Sequence, residues 1–191
     1  MERLRARLAS RNPNKARELE RLLPGWTISP LEAEGYPLED GETYYDNART
    51  KAVFGRGEAE PDAWVLGEDS GLEVSGLDGG PGIHSARSGG DDPVGWLLEQ
   101  LTSMSGDGRR ARYVSELVAL SPDGRELRGS GTLEGSIAES PRGNEGFGFD
   151  PVFIPVGEER TVAELGNEWK AAHSHRAEAA RALAARLRGG A

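Results

Sequence analysis

The hydrophobic pattern changes period within the first 23 residues, from that of a strand to that of a helix. Leu4, Ala6 and Leu8 alternate with arginines, and this period of two predicts a strand. Asn12-Pro13 then supplies a helix cap followed by proline. Leucines at helical spacing follow as far as Pro24-Gly25. A strand that leads directly into a helix is typical of an α/β fold.

The rest of the chain alternates strand and helix patterns at first and then becomes rich in strands. Thr43 and Asp46 form a capping-box pattern, and the helix that follows is expected to fail at Gly55 and Gly57. Further strands are predicted at residues 26–29, 64–66, 72–74, 112–120, 127–138 and 152–154, and further helices at residues 93–101 and 177–187. This order predicts a mixed-sheet α/β structure of two lobes, with residues 1–191 forming a single domain.

Charge and composition exclude several classes of protein. Of the 191 residues, 23 are Lys or Arg and 32 are Asp or Glu, so the formal net charge is −9. A chain this acidic is a poor partner for nucleic-acid polymers, and any anion has to be bound at a local site. The absence of cysteine excludes disulfides, thiolate metal sites and cysteine nucleophiles. No apolar segment is long enough to span a membrane and the N-terminus lacks a signal-peptide pattern, which predicts a cytoplasmic protein.

The segment S-R-N-P-N-K at residues 10–15 lies between the first predicted strand and the first predicted helix. Such a junction directs free backbone N–H groups and the positive helix end toward one point. Ser10, Asn12 and Lys15 add a hydroxyl, an amide and an ammonium group, a set that suits a polyphosphate. The alternative is an ordinary capped turn. The P-loop pattern G-x-x-x-x-G-K-[ST] is absent.

Two acidic segments could hold a divalent cation. The first, E-D-S-G at residues 68–71, follows a short apolar run, so its carboxylates are expected at a strand end, where ligands bind in open α/β sheets. Oxygen ligands of this kind suit Mg²⁺. Because neighbouring residues of a strand point to opposite faces, Glu68 and Asp69 can share one metal only if the chain turns between them, which Gly71 would allow. An Asp-Ser-Gly turn without a ligand is the alternative.

The second acidic segment is E-D-G-E at residues 39–42, before the second predicted helix. Asn47 and Lys51 lie four residues apart and therefore share one face of that helix. A carboxylate of this segment could complete the metal site, and Lys51 could meet a phosphate. The alternative is that the acidic residues serve only as partners of the helix dipole.

Two further motifs could bind a nucleobase. In G-F-G-F-D-P at residues 146–151, glycines around an aromatic ring allow a flat ligand to stack, and Asp150 could accept hydrogen bonds from a base edge. Lys170 with Ser174-His175-Arg176, expected at the head of the last helix, offers donors for a carbonyl such as a purine O6. A glycine-aromatic turn and a solvated helix surface are the alternatives. The chain has three histidines without metal-ligand partners, which argues against a zinc site.

Together the motifs supply the parts of a nucleoside triphosphate site, and the chain resembles the inosine/xanthosine triphosphate pyrophosphatases, the Ham1/RdgB-like enzymes. The matching motifs occur in the family's order from residue 10 to residue 176. They are S-R-N-P-N-K at 10–15, Y-D-N-A-R-T-K-A at 45–52, E-D-S-G-L-E-V at 68–74, G-G-P-G-I-H-S-A-R at 79–87, G-F-G-F-D-P-V-F at 146–153 and K-A-A-H-S-H-R at 170–176.

The resemblance implies Mg²⁺-dependent hydrolysis of ITP, dITP and XTP to the monophosphate and pyrophosphate, which cleanses the nucleotide pool. It also implies an elongated fold with the active site in a cleft between two lobes, and a homodimer. By the same likeness Asp69 is the acid–base residue and, with Glu39, a metal ligand. Residues 10–15 are expected to hold the triphosphate and residues 147–150 the base. Lys170, His175 and Arg176 are expected to contact the oxygen-bearing edge of that base. The residues assigned to substrate binding, from the motifs and the resemblance together, are Ser10, Arg11, Asn12, Pro13, Asn14, Lys15, Lys51, Ser70, Phe147, Gly148, Phe149, Asp150, Lys170, His175 and Arg176.

The chain departs from the family pattern at three positions. Glu68 stands where the acidic pair is usually Asp-Asp, Phe149 where Tyr or Trp is usual, and Ser88 where an aromatic residue is usual. The opening L-A-S-R-N-P at residues 8–13 also resembles the Maf-like nucleotide pyrophosphatases, which share the reaction but prefer other bases. The alternatives are therefore a Maf-like enzyme and a nucleotide-binding protein without turnover. The later motifs favour the inosine-type enzyme, and Asp69 and Lys15 argue against a protein without turnover.

Overall fold

The computed structural model describes residues 3–189. The predicted single domain of residues 1–191 includes two more residues at each end, which lie outside the described residues. The strands are β1 (Leu4–Leu8), β2 (Trp26–Pro30), β3 (Trp64–Val74), β4 (Arg110–Leu120), β5 (Glu126–Ile137) and β6 (Phe153–Pro155). The helices are α1 (Pro13–Leu22), α2 (Tyr44–Glu58), α3 (Pro93–Gln100), α4 (Val162–His173) and α5 (His175–Gly189). Between residues 3 and 189, no helix is long and apolar enough to cross a membrane.

The described strands form one sheet in the order β2-β1-β3-β4-β5-β6. Strand β1 pairs in parallel with β2 and with β3, so that Leu8 lies opposite both Pro30 and Leu66. Strand β5 pairs with β6 in the antiparallel sense. The sheet is therefore mixed, and the predicted mixed-sheet α/β fold is confirmed.

The chain divides into two compact units, in agreement with the predicted two lobes. The first unit contains the residues up to Asp69, the segment Ser115–Gly131, and the residues from His175 onward. The second unit contains Ser70–Val114 and Thr132–Ser174.

Side chains on the two faces of the strands build the core of the first unit. Leu117 and Ala119 of β4 pack with Leu19 of α1 and Leu183 of α5. Val118, between them in sequence, packs instead with residues of α2. Because successive strand residues point to opposite faces, α1 and α5 cover one face of these strands and α2 covers the other.

The second unit has a core of its own, which includes the end of β3 and the helix α3. Its buried members are Leu72, Val74, Leu97, Leu101, Ala111, Tyr113, Ile137, Phe149, Val152, Phe153 and Val162. Helix α3 begins where Asp92 caps it, accepting a hydrogen bond from the backbone N–H of Gly95 at 2.8 Å. This cap and the proline that follows it account for a helix in a glycine-rich part of the chain.

Several predicted boundaries are correct and have the expected causes. Asn12 caps α1, accepting from the backbone N–H of Asn14, and Pro13 is the first helical residue. Thr43 and Asp46 form the expected capping box at the start of α2. The expected failure of α2 at its glycines is wrong, because Gly55 packs against Val65 and Ala9, where a side chain would not fit. Close packing against the sheet stabilises the helix where the intrinsic propensity of glycine disfavours it.

Helix α4 has no counterpart in the sequence prediction. It begins at a second capping box, in which Thr161 accepts from the backbone N–H of Glu164 and the Glu164 side chain accepts from that of Thr161. Gly166 interrupts it with a φ of 88°, a left-handed conformation that glycine adopts without strain. This break divides the helical period, so the apolar pattern of the segment is too short to identify.

Candidate active site

Alternation along β3 separates the two acidic residues of the E-D-S-G motif. The strand runs without a break from Trp64 to Val74, so the predicted strand end and the turn allowed by Gly71 are wrong. The segment is paired in the sheet between β1 and β4, which holds it extended. Leu66 lies in the core with residues of α1 and α5, and Glu68, two residues further, points to the same face. Asp69 points to the opposite face, which α2 covers.

Helix α2 approaches β3 closely because Gly67 has no side chain where the two elements meet. A Cβ at Gly67 would collide with the backbone carbonyl oxygen of Ala48. Asn47 and Lys51 lie one turn apart on the face of α2 that this contact turns toward the strand. Both side chains consequently reach Asp69.

Glu39, Asn47, Lys51 and Asp69 form one connected cluster, here called the Asp69 group. The Lys51 Nζ atom lies 2.8 Å from Asp69 Oδ1 and 2.5 Å from Glu39 Oε1. The Asn47 Nδ2 atom donates to Asp69 Oδ2 at 3.3 Å. The Asn47 Oδ1 atom accepts from the backbone N–H of Gly41 at 2.9 Å. This last contact fixes the loop that carries Glu39 to the helix that carries Lys51.

Burial sets the protonation behaviour of the Asp69 group. Burial raises the pKa of Asp69 above its ordinary value, and Lys51 only partly opposes this effect. Burial also lowers the pKa of Lys51, but Asp69 and Glu39 act more strongly in the other direction and the net pKa is raised. Lys51 therefore remains an ammonium group at neutral pH. A carboxylate with a raised pKa is suited to accept a proton from a reacting water.

The Asp69 group has the donor chemistry for a hard divalent cation. The carboxylates of Glu39 and Asp69 contact the same ammonium group, so both already converge on one positive charge. Among residues 3–189, no group of three or more His, Cys, Asp or Glu side chains is arranged as a metal site. A cation held by two carboxylates would take its other ligands from water and phosphate oxygens, which is how Mg²⁺ usually binds.

A second cluster, here called the Glu68 group, lies on the other face of β3. Glu68 is fully buried, and its carboxylate contacts Lys15 Nζ at 2.6 Å and Arg176 Nη2 at 3.0 Å. Ser115 of β4 donates its hydroxyl to Glu68 at 3.0 Å. Arg176 also contacts Glu18 of α1, with 2.6 Å between Nη1 and Oε2.

Glu68 and Arg176 hold each other in their charged forms. Burial alone would raise the pKa of Glu68, but Arg176 and Lys15 outweigh it, and the pKa lies far below its usual range. Burial likewise opposes the charge on Arg176, while Glu68 and Glu18 raise its pKa above the ordinary value. Two carboxylates and two cations share this buried space, so their charges balance.

The segment 10–15 forms the predicted connection between β1 and α1. Ser10 Oγ accepts from the backbone N–H of Asn12 at 3.2 Å, and Asn12 Oδ1 accepts from that of Asn14 at 2.9 Å. These are the contacts of a capped turn, the alternative that the sequence left open. The same turn presents the N-terminus of α1 and carries the exposed Arg11, whose guanidinium lies 5.2 Å from the ring centroid of Tyr36.

A third cluster lies in the second unit and joins two of the predicted base-binding motifs. The Lys170 Nζ atom lies 2.7 Å from Asp150 Oδ2 and 3.9 Å from the ring centroid of Phe147. Asp150 also accepts from the backbone N–H of Phe147 at 2.8 Å, and Tyr113 donates its hydroxyl to it at 3.4 Å. Phe147 is half-buried.

Several residues that the sequence assigned to base binding do not lie where their motifs predicted. Phe149 packs into the core of the second unit, so its ring is not an open stacking surface, whereas Gly148 is exposed. Lys170 lies near the end of α4 and not at the head of the last helix, which is a correction to the prediction. His175 and Arg176 do begin α5, and both are buried.

Sequence reasoning missed three polar residues that complete these clusters, namely Glu18, Ser115 and Tyr113. Glu18 lies three residues after Lys15 on α1, and this spacing on one helix face was an available signal. Ser115 and Tyr113 meet their partners across the sheet or between distant segments. Their contacts depend on strand pairing, which no local pattern specifies. Ser70, by contrast, follows Asp69 directly along β3 and is half-buried.

The order and identity of these motifs also match known proteins. The Ham1 family model matches residues 6–186, nearly the whole chain. The chain belongs to the Ham1 family. The resemblance inferred from its motifs is thereby confirmed, and the match includes residues of both units.

Similar proteins are found among curated Ham1 relatives and among solved structures. A dITP/XTP pyrophosphatase of Thermus thermophilus is 44% identical over 185 residues, which cover 92% of this chain and 88% of that protein. A dITP/XTP pyrophosphatase of Bdellovibrio bacteriovorus is 46% identical over 154 residues, which cover 78% of this chain and 77% of that protein. The solved structure of a HAM1 protein from Coxiella burnetii superposes with a TM-score of 0.83 at 31% identity, and the match covers 97% of this chain and 99% of that one.

Proposed function

We propose that this Ham1 protein hydrolyses deaminated purine nucleoside triphosphates, namely ITP, dITP and XTP, to the monophosphate and pyrophosphate. The observation that carries the proposal is the Asp69 group, in which the carboxylates of Glu39 and the buried Asp69 converge on one ammonium group. The names of the Thermus and Bdellovibrio relatives support the substrate class. In this role the protein removes damaged nucleotides from the pool that polymerases use.

We assign Mg²⁺ to the Asp69 group, with Glu39 and Asp69 as its protein ligands. When bound, Mg²⁺ would neutralise charge on the phosphate oxygens and polarise the phosphorus for attack. Two carboxylate ligands fit a cation that keeps several waters and takes ligands from substrate phosphates. Lys51, which lies between these carboxylates, contributes a further positive charge against the phosphates.

In the proposed reaction the chain's own residues hold the triphosphate and accept the proton. Asp69 accepts a proton from the attacking water. At the same time the oxygen of that water bonds to phosphorus, and the anhydride bond between the α- and β-phosphates breaks. Lys15 and the N-terminus of α1 neutralise the triphosphate. In the proposed contacts, residues 10–14 surround its oxygens, and Ser70 binds substrate beside the reacting group.

The proposed base contacts come from Phe147, Gly148, Asp150 and Lys170, with Phe149 supporting the turn from the core. His175 and Arg176 are proposed to face the oxygen-bearing edge. A donor at purine O6 would meet a carbonyl in hypoxanthine or xanthine but an amino group in adenine. Two opposed donors would leave buried polar groups unpaired, which supplies discrimination against ATP.

Product analysis tests the reaction class. The protein is incubated with dITP and Mg²⁺, and nucleotide products, pyrophosphate and phosphate are resolved by anion exchange. We expect one dIMP and one pyrophosphate for each dITP consumed, with no free phosphate. Release of phosphate and dIDP would contradict the proposal, and so would tight dITP binding without turnover. A preference for dTTP or UTP in the same assay would favour the Maf-like alternative.

We further propose that the chain works as one catalytic domain, as a homodimer, in the cytoplasm. The family resemblance motivates the dimer, and the nucleotide pool that feeds polymerases motivates the location. Sedimentation equilibrium checks the dimer, with twice the monomer mass as the expected result and the monomer mass as the contradicting one.

A further inference from the structure

The Glu68 group contains an acidic residue for which the proposed reaction has no role. Glu68 is the neighbour of Asp69 in sequence, yet its side chain lies on the other face of β3, among residues packed with α1 and α5. It is fully buried and holds an ammonium group, a guanidinium group and a hydroxyl at 2.6 to 3.0 Å. A carboxylate in this position is directed away from the cluster of Glu39, Lys51 and Asp69.

The cations that Glu68 holds stand at unfavourable places for their helices. Lys15 is the third residue of α1 and Arg176 is the second residue of α5. Cations in the first turn of a helix are repelled by the positive end of the helix dipole. A buried carboxylate between the two helix starts offsets this repulsion. Positions at which a chain departs from a local rule and compensates the departure nearby are characteristic of functional sites.

Fixing Lys15 before substrate binds has a direct consequence for catalysis. A lysine side chain has several rotatable bonds, and ordering it costs rotamer entropy. A charge that is held in place in the free protein does not have to be ordered during the reaction. The ion pair with Glu68 holds the ammonium group of Lys15, whose side chain is only 14% exposed, at the start of α1, the helix proposed to bind phosphate.

We propose that Glu68 is a positioning residue that holds Lys15 and Arg176 for the substrate and is not a ligand of the metal. The proposal rests on the proposed function for what the two cations contact. It assigns the two acids of the E-D-S-G motif to separate tasks, Asp69 to proton transfer and metal binding and Glu68 to the placement of two cations.

The test compares Glu68→Gln with a matched control, Glu116→Gln. Glu116 is a buried strand glutamate of the same unit, held by Arg128 at 2.7 and 2.8 Å and by Ser130 at 2.7 Å, outside the three clusters. Both substitutions remove a buried charge that an arginine and a serine contact. A purely structural effect should therefore appear in both variants, and a positioning effect only in Glu68→Gln.

Three measurements are made on each variant. The first is kcat and KM for ITP, and the second is Mn²⁺ affinity by electron paramagnetic resonance. The third is competitive acetylation of lysines by acetic anhydride, followed by peptide mass spectrometry. The chain has only three lysines, Lys15, Lys51 and Lys170, so the last two serve as internal references. The acetylation and Mn²⁺ measurements need no turnover, so they read the role of Glu68 even if ITP is not a substrate.

For Glu68→Gln we expect kcat to fall at least about tenfold, since a small misplacement of a positioned group is costly in rate. We expect acetylation of Lys15 to rise at least about tenfold, because a buried ion pair is lost, with Lys51 and Lys170 unchanged. Mn²⁺ affinity should stay within about twofold of the wild-type value, which is less than 0.5 kcal/mol. Glu116→Gln should leave kcat and all three acetylation rates unchanged.

Unchanged acetylation of Lys15, or an unchanged kcat, would overturn the proposal. A tenfold loss of Mn²⁺ affinity would also overturn it, by making Glu68 a metal ligand. If Glu68→Gln does not fold, Glu68→Asp repeats the test with the charge kept on a shorter side chain. Lys15 acetylation must then rise and kcat fall, by less than about tenfold each, and no change in either would reject the role.

Discussion

Each of the chain's three lysines forms an ion pair with a carboxylate of a candidate site. Lys15 contacts Glu68, Lys51 contacts Glu39 and Asp69, and Lys170 contacts Asp150. Apart from these lysines and the three histidines, the basic side chains of the protein are all arginines. Lysine presents a compact point charge, which is a form in which proteins bind phosphate oxygens.

At the scale of single residues, Asp69 has the clearest predicted effect. Asp69→Asn keeps the size of the side chain but cannot accept the proton, so we expect kcat for ITP to fall about 100- to 10,000-fold. Binding of ITP, measured by calorimetry, should be largely retained, and the circular dichroism spectrum should match that of the wild type. Substantial activity in this variant would remove Asp69 from proton transfer.

The depressed pKa of Glu68 predicts a pH dependence of stability. Its carboxylate is stabilised by folding, so its contribution is fully present above the unfolded-state pKa of about 4.3 and is lost as pH falls below that value. The difference in unfolding free energy between wild type and Glu68→Gln, from urea titrations, should be constant from about pH 6 to pH 8 and should shrink below about pH 4. A difference that grows at acid pH would contradict this assignment of charge.

At the scale of elements, the close contact between α2 and β3 brings the Asp69 group together. Gly67→Ala would place a methyl group against the backbone of α2, so we expect it to destabilise the protein by about 1–3 kcal/mol. It should also lower kcat, because Lys51 moves relative to Asp69. Gly57→Ala is the matched control, since a Cβ there meets nothing within 4 Å, and we expect it to stabilise the fold by about 0.5–1 kcal/mol. A Gly67→Ala variant that is as stable and as active as Gly57→Ala would show that the contact between Gly67 and α2 decides neither property.

The elements that the sequence predicts correctly are those with strong local signals. The cap of α1 at Asn12 and the capping box of α2 at Thr43 are short-range hydrogen-bonding patterns, and both helices begin as expected. The continuity of β3 through Gly71 could not be predicted, because pairing with strands distant in sequence holds that segment extended. Helix α4 was missed because Gly166 divides its pattern, although the capping box at Thr161 was present in the sequence.

The site residues show the same division between local and long-range information. The motifs identify Lys15, Lys51, Asp69 and Lys170 as polar residues in suggestive local contexts. Their partners across the sheet follow from strand order and register. The alternation of a strand is enough to place Glu68 and Asp69 on opposite faces. The sequence does not show, however, that the strand continues past these two residues.

At the scale of the whole molecule, an acidic chain is able to bind a highly charged anion because the lysines assigned to that anion lie together at the candidate site. The net charge of −9 is spread over the chain, while the cations assigned to the triphosphate are held inside by carboxylates. Those carboxylates also include the proposed Mg²⁺ ligands. The family match over residues 6–186 includes all of these charged residues.

We expect this protein to prefer ITP to ATP, and the ratio of kcat/KM for ITP to that for ATP measures this preference. The two substrates differ at purine position 6, where one presents a carbonyl and the other an amino group. A site built with donors for the carbonyl should prefer ITP by at least about 100-fold at saturating Mg²⁺. A ratio near one would show that the protein does not recognise the group at purine position 6.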